Sequence, residues 1–313
     1  MKTLLTSSVA EAAVIIRGGG LVAFPTETVY GLGADALNEA AVNKIFTAKQ
    51  RPGDNPLIIH VASFEQLQTV TYEVTPNAKK FIDAFWPGPL TVVLKKAAGV
   101  PLAVTAGLET VAVRKPAGKL ARDLIKLSGT PIAAPSANVS GRPSPTTWRS
   151  VQEDLDGRIE CILQGEPTDI GLESTVVDCT SVPPMVLRSG SISIEQLRAV
   201  VPDTRAGVSD HDAAPRSPGQ KHRHYSPKAS VHLVAARETI AVGANSAFIG
   251  LTSPPRALAK TKICSSVNDY ARNVFEFFRE CDREGIGIIY CETVDEDGIG
   301  AALMDRLRRA AEA

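Results

Sequence analysis

Apolar residues recur at helical spacing from Val9 to Arg17 and stop at Gly18-Gly19-Gly20, and Leu21-Val22-Ala23-Phe24 then runs apolar without interruption. That order predicts a helix, a glycine stop and a buried strand. The alternation continues. Asn38 can cap a helix through Ala48, Leu57 to Val61 reads as a second strand, and Ser63 with Gln66 three residues later has the capping-box spacing. Thr75-Pro76 supplies a cap and a first-turn proline for another helix. Further apolar runs predict strands at Thr91 to Leu94, Val111 to Arg114, Ile132 to Ala134, Ile159 to Leu163, Thr175 to Val177 and Met185 to Leu187, closed by a helix from Ile194 to Val200. Such a mixture predicts an α/β fold, a twisted sheet with helices against it.

The pattern breaks between Pro202 and Pro227, where Asp, His, Ala, Pro, Ser and Gly dominate. That composition marks a linker. Beyond it, strands at Val231 to Ala235, Ala247 to Leu251 and Ile286 to Cys291 alternate with helices at Asp269 to Glu284 and Ala301 to Ala311. Tyr270, Val274, Phe277 and Cys281 share one stripe of the longer helix, as packing on a sheet requires. The expected organisation is a main domain over 1–205, a linker over 206–229 and a small α/β domain over 230–313.

Composition narrows the function classes. The chain has 313 residues, 44% of them hydrophobic, which is ample for buried cores. Lys plus Arg and Asp plus Glu both total 34, so no overall basic field would hold nucleic acid. The first twenty residues lack a signal-peptide apolar block and no run suits a membrane span, so a cytoplasmic protein without a membrane partner is expected. Five cysteines without C-x-x-C spacing, mostly in apolar segments, read as core residues.

The candidate chemistry lies in polar turns. Lys49-Gln50-Arg51 follows a helix and precedes Asn55 and a strand, placing a point charge, a planar fork and an amide in one turn. That set suits an anion such as a triphosphate, although a solvated helix end would look the same. Ser136-Ala137-Asn138-Val139-Ser140-Gly141 follows an apolar strand, where hydroxyls and an amide can donate to phosphate without adding charge. Gly171-Leu172-Glu173-Ser174-Thr175 and Leu187-Arg188-Ser189-Gly190 have the same character. Gly31-Leu32-Gly33-Ala34-Asp35-Ala36 fits a dinucleotide fingerprint, but six residues separate it from its strand, which argues against that use. There is no P-loop, H-E-x-x-H or G-x-S-x-G motif.

Five ordered motifs, Phe24-Pro25-Thr26-Glu27-Thr28-Val29-Tyr30-Gly31-Leu32-Gly33, Lys49-x-Arg51-Pro52-x-x-Asn55-Pro56-Leu57, Trp86-Pro87-Gly88-Pro89-Leu90-Thr91, Ser136-x-Asn138-x-Ser140-Gly141 and Ser174-Thr175-Val176, resemble the L-threonylcarbamoyladenylate synthase family. The resemblance covers about Leu4 to Val201. The segment from Ser217 to Pro227 and the ending from Gly300 to Ala311 are similar to its longer, two-domain members. The resemblance implies a YrdC-like twisted mixed sheet joined to a smaller Rossmann-like domain. It implies a nucleotidyltransferase that makes threonylcarbamoyl-AMP and pyrophosphate from L-threonine, bicarbonate and ATP, the first step of tRNA t6A modification. The product would pass to a separate transferase complex, with at most weak direct tRNA contact.

By the same resemblance Thr28, His60, Arg114, Ser174 and the backbone near Ala134 would hold threonine. Lys49, Arg51, Asn55, Thr110, Ser136, Asn138, Ser144 and Arg188 would hold the nucleotide, with Lys49, Arg51, Ser136 and Asn138 the catalytic set. Tyr225 would reach in from the linker, which would act as a lid. No protein metal site is implied; Mg²⁺ would arrive with ATP. The remaining alternatives are a non-catalytic RNA-binding or translation-associated module and carbamoyl transfer to another acceptor.

Overall fold

The computed structural model describes residues 2–207, 225–236 and 245–312, and these form two sheets. The strands of the first are β1 (Leu4–Thr6), β2 (Val22–Phe24), β3 (Gly31–Asp35), β4 (Ile58–His60), β5 (Leu90–Lys95), β6 (Thr110–Arg114), β7 (Ile132–Ala133), β8 (Cys161–Leu163), β9 (Thr175–Asp178), β10 (Met185–Arg188) and β11 (Arg205–Ala206). They lie in the order β1-β8-β2-β3-β7-β4-β6-β5-β9-β10-β11 with mixed pairing, so the expected mixed α/β sheet is present. Its helices are α1 (Val9–Arg17), α2 (Glu39–Lys49), α3 (Phe64–Val70), α4 (Pro76–Phe85), α5 (Leu102–Thr105), α6 (Lys119–Ser128), α7 (Trp148–Leu155) and α8 (Ile194–Val200). The second sheet, β12 (Ser230–Val234), β13 (Ser246–Gly250), β14 (Lys260–Ile263) and β15 (Ile288–Glu292), runs parallel in the order β12-β15-β13-β14. It is packed by α9 (Val267–Glu284) and α10 (Gly300–Ala311).

Local sequence fixes the helix ends. The side chains of Ser8, Asn38, Ser63, Thr75 and Ser193 accept from backbone N–H groups of the helices they precede, satisfying donors that have no intrahelical partner. At Ser63 the reciprocal half differs from the expected box, because Gln66 accepts from the N–H of Ala62. All five cysteines are free and buried.

Seven elements escape the periodicity: β1, β3, α5, α6, α7, β11 and β14. β3 explains why. Two of its residues are glycines, poor strand formers on statistics alone. A side chain on Gly33 would put its Cβ 2.7 Å from Ile132 Cγ2 and 2.8 Å from Phe24 Cε1, so glycine is required by packing between neighbouring strands. The suspected dinucleotide fingerprint is thus a buried strand. Most of the 206–229 linker, including residues 217–224 of its motif, lies outside the described residues.

Candidate active site

Strand register assembles one end of the site. His60 on β4 pairs with Arg114 on β6, and Arg114 pairs with Thr91 on β5. β5 in turn runs beside β9, whose start follows Ser174. Arg114 is buried and occupied on three sides: Nε donates to the Gly88 carbonyl at 3.1 Å, Nη1 donates to Thr28 Oγ1 at 2.8 Å, and Nη2 lies 2.7 Å from Glu27 Oε1. Burial favours the neutral form of Glu27, but Arg114 overrides it and holds the carboxyl below its usual range. His60 moves the other way: burial, reinforced by Arg114, pushes its pKa down to about 3, so the imidazole is neutral at physiological pH. Its Nδ1 has no hydrogen-bond partner among the described residues.

Ser174 closes this end. Its hydroxyl lies 2.8 Å from that of Thr91, and Arg188 donates from Nε to the Ser174 carbonyl at 3.0 Å and from Nη2 to its hydroxyl at 3.1 Å.

At the other end, Gln50 adopts a left-handed conformation that stops α2 and turns the chain. The cations on either side of it then part. Lys49 is buried, and its ammonium donates to the carbonyls of Ser136 and Asn138 at 2.5 and 2.6 Å. Burial first, then Arg51, draws its pKa well below the ordinary lysine value. Arg51 instead lines the cleft, with Nη2 donating to the Asn55 carbonyl at 3.2 Å. Burial lowers its pKa to about 10.

The cleft holds about 60 Å³ and brings together Thr28, Arg51, His60, Arg114, Ala134, Ser136, Ser174, Arg188 and Tyr225. Nine of the residues expected from the sequence therefore share one cavity. The others do not line it. Lys49 stands behind the wall, holding the backbone of the Ser136 turn. Asn138 donates from Nδ2 to the carbonyls of Val139 and Arg142 and accepts from the Ser136 hydroxyl, so its amide shapes the turn. Asn55 is buried with neither amide atom hydrogen-bonded among the described residues. Ser144 donates to Glu173 Oε1 at 2.5 Å. Thr110 begins β6, partly exposed and across from Lys95.

Sequence reasoning missed Glu27, Thr91 and Glu173 as parts of this site. Glu173 lines the cleft and is held ionised: burial opposes its charge, but Arg306, Arg188 and the Ser144 hydroxyl more than compensate. The adjacency of Thr26-Glu27-Thr28 and Glu173-Ser174 to assigned residues was the available signal. What it lacked was the arginine that each carboxylate meets.

Comparison with known proteins gives a consistent picture. Residues 14–190 match a family model described as telomere recombination, and residues 192–312 match one described as the threonylcarbamoyl-AMP synthase C-terminal domain. A threonylcarbamoyl-AMP synthase of Pyrococcus abyssi is 48% identical, with the match covering 96% of this chain and 92% of that protein. One from Bacillus subtilis is 42% identical over 97% of this chain and 92% of its own length. The crystal structure of P. abyssi Sua5 complexed with L-threonine superposes with a TM-score of 0.93 at 46% identity, covering 97% of this chain and 94% of that one.

Proposed function

The chain belongs to the threonylcarbamoyl-AMP synthase family, and from that premise we propose how its cleft divides the work. The reaction joins L-threonine, bicarbonate and ATP into L-threonylcarbamoyladenylate and pyrophosphate, the first step of tRNA t6A modification. Threonine's amine captures CO2 or bicarbonate as a carbamate. A carbamate oxygen then attacks the α-phosphorus as the bond to pyrophosphate breaks. No covalent enzyme intermediate is needed, so positioning and charge stabilisation are the protein's tasks.

The observation that carries the assignment is the single cavity joining Arg114, Thr28, His60 and Ser174 to Arg51, Ser136 and Arg188. Arginine has five N–H groups, and with Glu27, Thr28 and Gly88 engaged, each η nitrogen of Arg114 keeps a second N–H for the threonine carboxylate. Neutral His60 can accept from the substrate's ammonium or hydroxyl at Nδ1. Ala134 supplies the pocket wall beside them. Arg51, Ser136 and Arg188 face the phosphates, while Lys49 and Asn138 set the backbone of the Ser136 turn, the Asn55 carbonyl holds Arg51 and Ser144 holds the Glu173 carboxylate. Thr110 would reach the nucleotide only from the rim.

Mg²⁺ fits as a companion of the triphosphate. Glu173 is the one carboxylate among the described residues lining the cleft, and it is committed to Arg306 and Ser144, so phosphate oxygens and water would supply the ligands. There Mg²⁺ would neutralise phosphate charge. Tyr225, buried beside Arg306, would cover the nucleotide and slow hydrolysis of the carbamate and mixed anhydride. The unstable product would pass to a separate transferase. Among the described residues no helix is long and apolar enough to cross a membrane.

Pyrophosphate release from ATP tests this reading. It is expected to require both L-threonine and bicarbonate, and release that ignores either would refute it. Arg51→Ala should keep the fold and lose roughly a hundredfold or more in turnover, as expected for a group that meets developing phosphate charge.

A further inference from the structure

The turn at 171–174 belongs by connection to the first domain and by packing to the second. Gly171 is pressed on α9: a Cβ there would lie 2.5 Å from Arg272 Cα and 2.6 Å from its carbonyl oxygen. Leu172 is wholly buried in the second domain's core with Tyr270, Phe275 and Leu303. Glu173 then meets Arg306 of α10, whose Nε donates to Oε2 at 3.0 Å. Arg306 is itself buried, and its Nη2 donates to the Ser189 carbonyl at 3.0 Å, next to Arg188. Its guanidinium also sits 5.3 Å from the ring centroid of Tyr225, which stacks on Phe275. One side chain from the second domain therefore touches three segments that border the cleft.

We propose that Arg306 is a positioning residue of the synthase reaction: the second domain, through this guanidinium, fixes Glu173 and with it the hydroxyl of Ser144 and the backbone beside Arg188. The second domain is then part of the active site's framework as well as the carrier of the linker. The proposal rests on the reading of this cleft as the threonine and ATP site.

The consequence is electrostatic as well as steric. Glu173 is acted on by Arg306 and, through it, Asp305 of α10, by Arg188 of β10, by Tyr225 and by the Ser144 hydroxyl. Removing Arg306 takes away the largest force keeping this buried carboxylate charged, and its protonation would then weaken its hold on the Ser144 hydroxyl and remove a negative charge beside Arg188.

The test compares full-length wild type with Arg306→Met, Arg306→Lys, the double variant Arg306→Met/Glu173→Gln, and Arg283→Gln at an exposed inter-domain pair with Glu153. Threonine- and bicarbonate-dependent pyrophosphate release is measured against pH, with circular dichroism to confirm folding. A wild type that does not need both substrates would refute the reading of the cleft before any variant is considered. Given that need, Arg306→Met should lose about a hundredfold in kcat/KM, the scale of a small misplacement in the site. Its acid limb should move up by about one pH unit or more, the usual effect of losing an adjacent opposite charge. Arg306→Lys should restore much of the wild-type profile, the double variant should lack the shifted limb, and Arg283→Gln should match wild type. A folded Arg306→Met with an unshifted pH profile overturns the proposal. So does a double variant that retains the shifted limb. If Arg306→Met does not fold, the double variant, which buries no unpaired carboxylate, decides by the same criterion.

Discussion

The Ser136–Asn138 turn is fastened from within its own domain, by the Lys49 ammonium on two of its carbonyls, whereas the 171–174 turn is fastened from outside, with Gly171 on α9, Leu172 in the other core and Glu173 on Arg306. Both turns border the same cleft. The difference separates two ways of fixing polar backbone. A buried cation can order a nearby loop by direct hydrogen bonds, at the cost of its own desolvation. A turn without such a cation must be seated on apolar surface supplied by another unit. The second domain therefore touches one wall of the cleft directly and reaches the other at one remove, where buried Arg279 donates to the Pro143 carbonyl and to Asp154, whose Oδ2 accepts from the Val139 N–H beside the Ser136 turn.

The sharpest way to break this contrast is Gly171→Val. Its side chain would collide with the α9 backbone at a residue whose φ of +82° already disfavours side chains. The expected loss exceeds about 4 kcal/mol, read by urea unfolding, and wild-type stability would mean that the seat on α9 is loose. Lys49→Met should come next, at about 3 kcal/mol, because two buried carbonyls lose their donor. Its damage should appear in the Ser136 wall, and a variant as stable as wild type would show that the turn holds itself.

Acid should distinguish the walls further. Glu27 and Glu173 are both depressed in the folded state, so each contributes stability above its unfolded value near pH 4.3 and loses it as pH falls towards its folded value. Glu173→Gln should flatten that acid loss at the second-domain wall only, a difference that thermal melts below about pH 5 would detect. The smallest effect belongs to Arg283→Gln. Its exposed pair with Glu153 also bridges the domains, yet about 0.5 kcal/mol or less is expected. A larger shift in unfolding midpoint would move the weight of the interface from the buried seat to its surface.

These contrasts also explain what the sequence could reveal. Caps at Asn38, Ser63 and Thr75 were legible because cap and helix are adjacent in the chain. The cation turn, the hydroxyl turn and their union in one site were legible as residue types and ordered motifs. Lys49 was misplaced within that site because its partners lie 87 and 89 residues away, and nothing local distinguishes an ammonium facing ligand from one facing carbonyls. Glu173 was passed over for the same reason. As a string, Gly171-Leu172-Glu173-Ser174 is ordinary turn chemistry, and its meaning comes from the surface on which it rests.

The seat of that turn also imposes an order of events during synthesis. Glu173 leaves the ribosome 133 residues before Arg306, an interval of roughly 7–27 s at the usual 5–20 residues per second. Throughout it the large sheet can form, but Leu172 has no core to enter and the wall of the cleft no anchor. Under the proposed role of Arg306, that wall of the cleft gains its anchor only when the last helix docks.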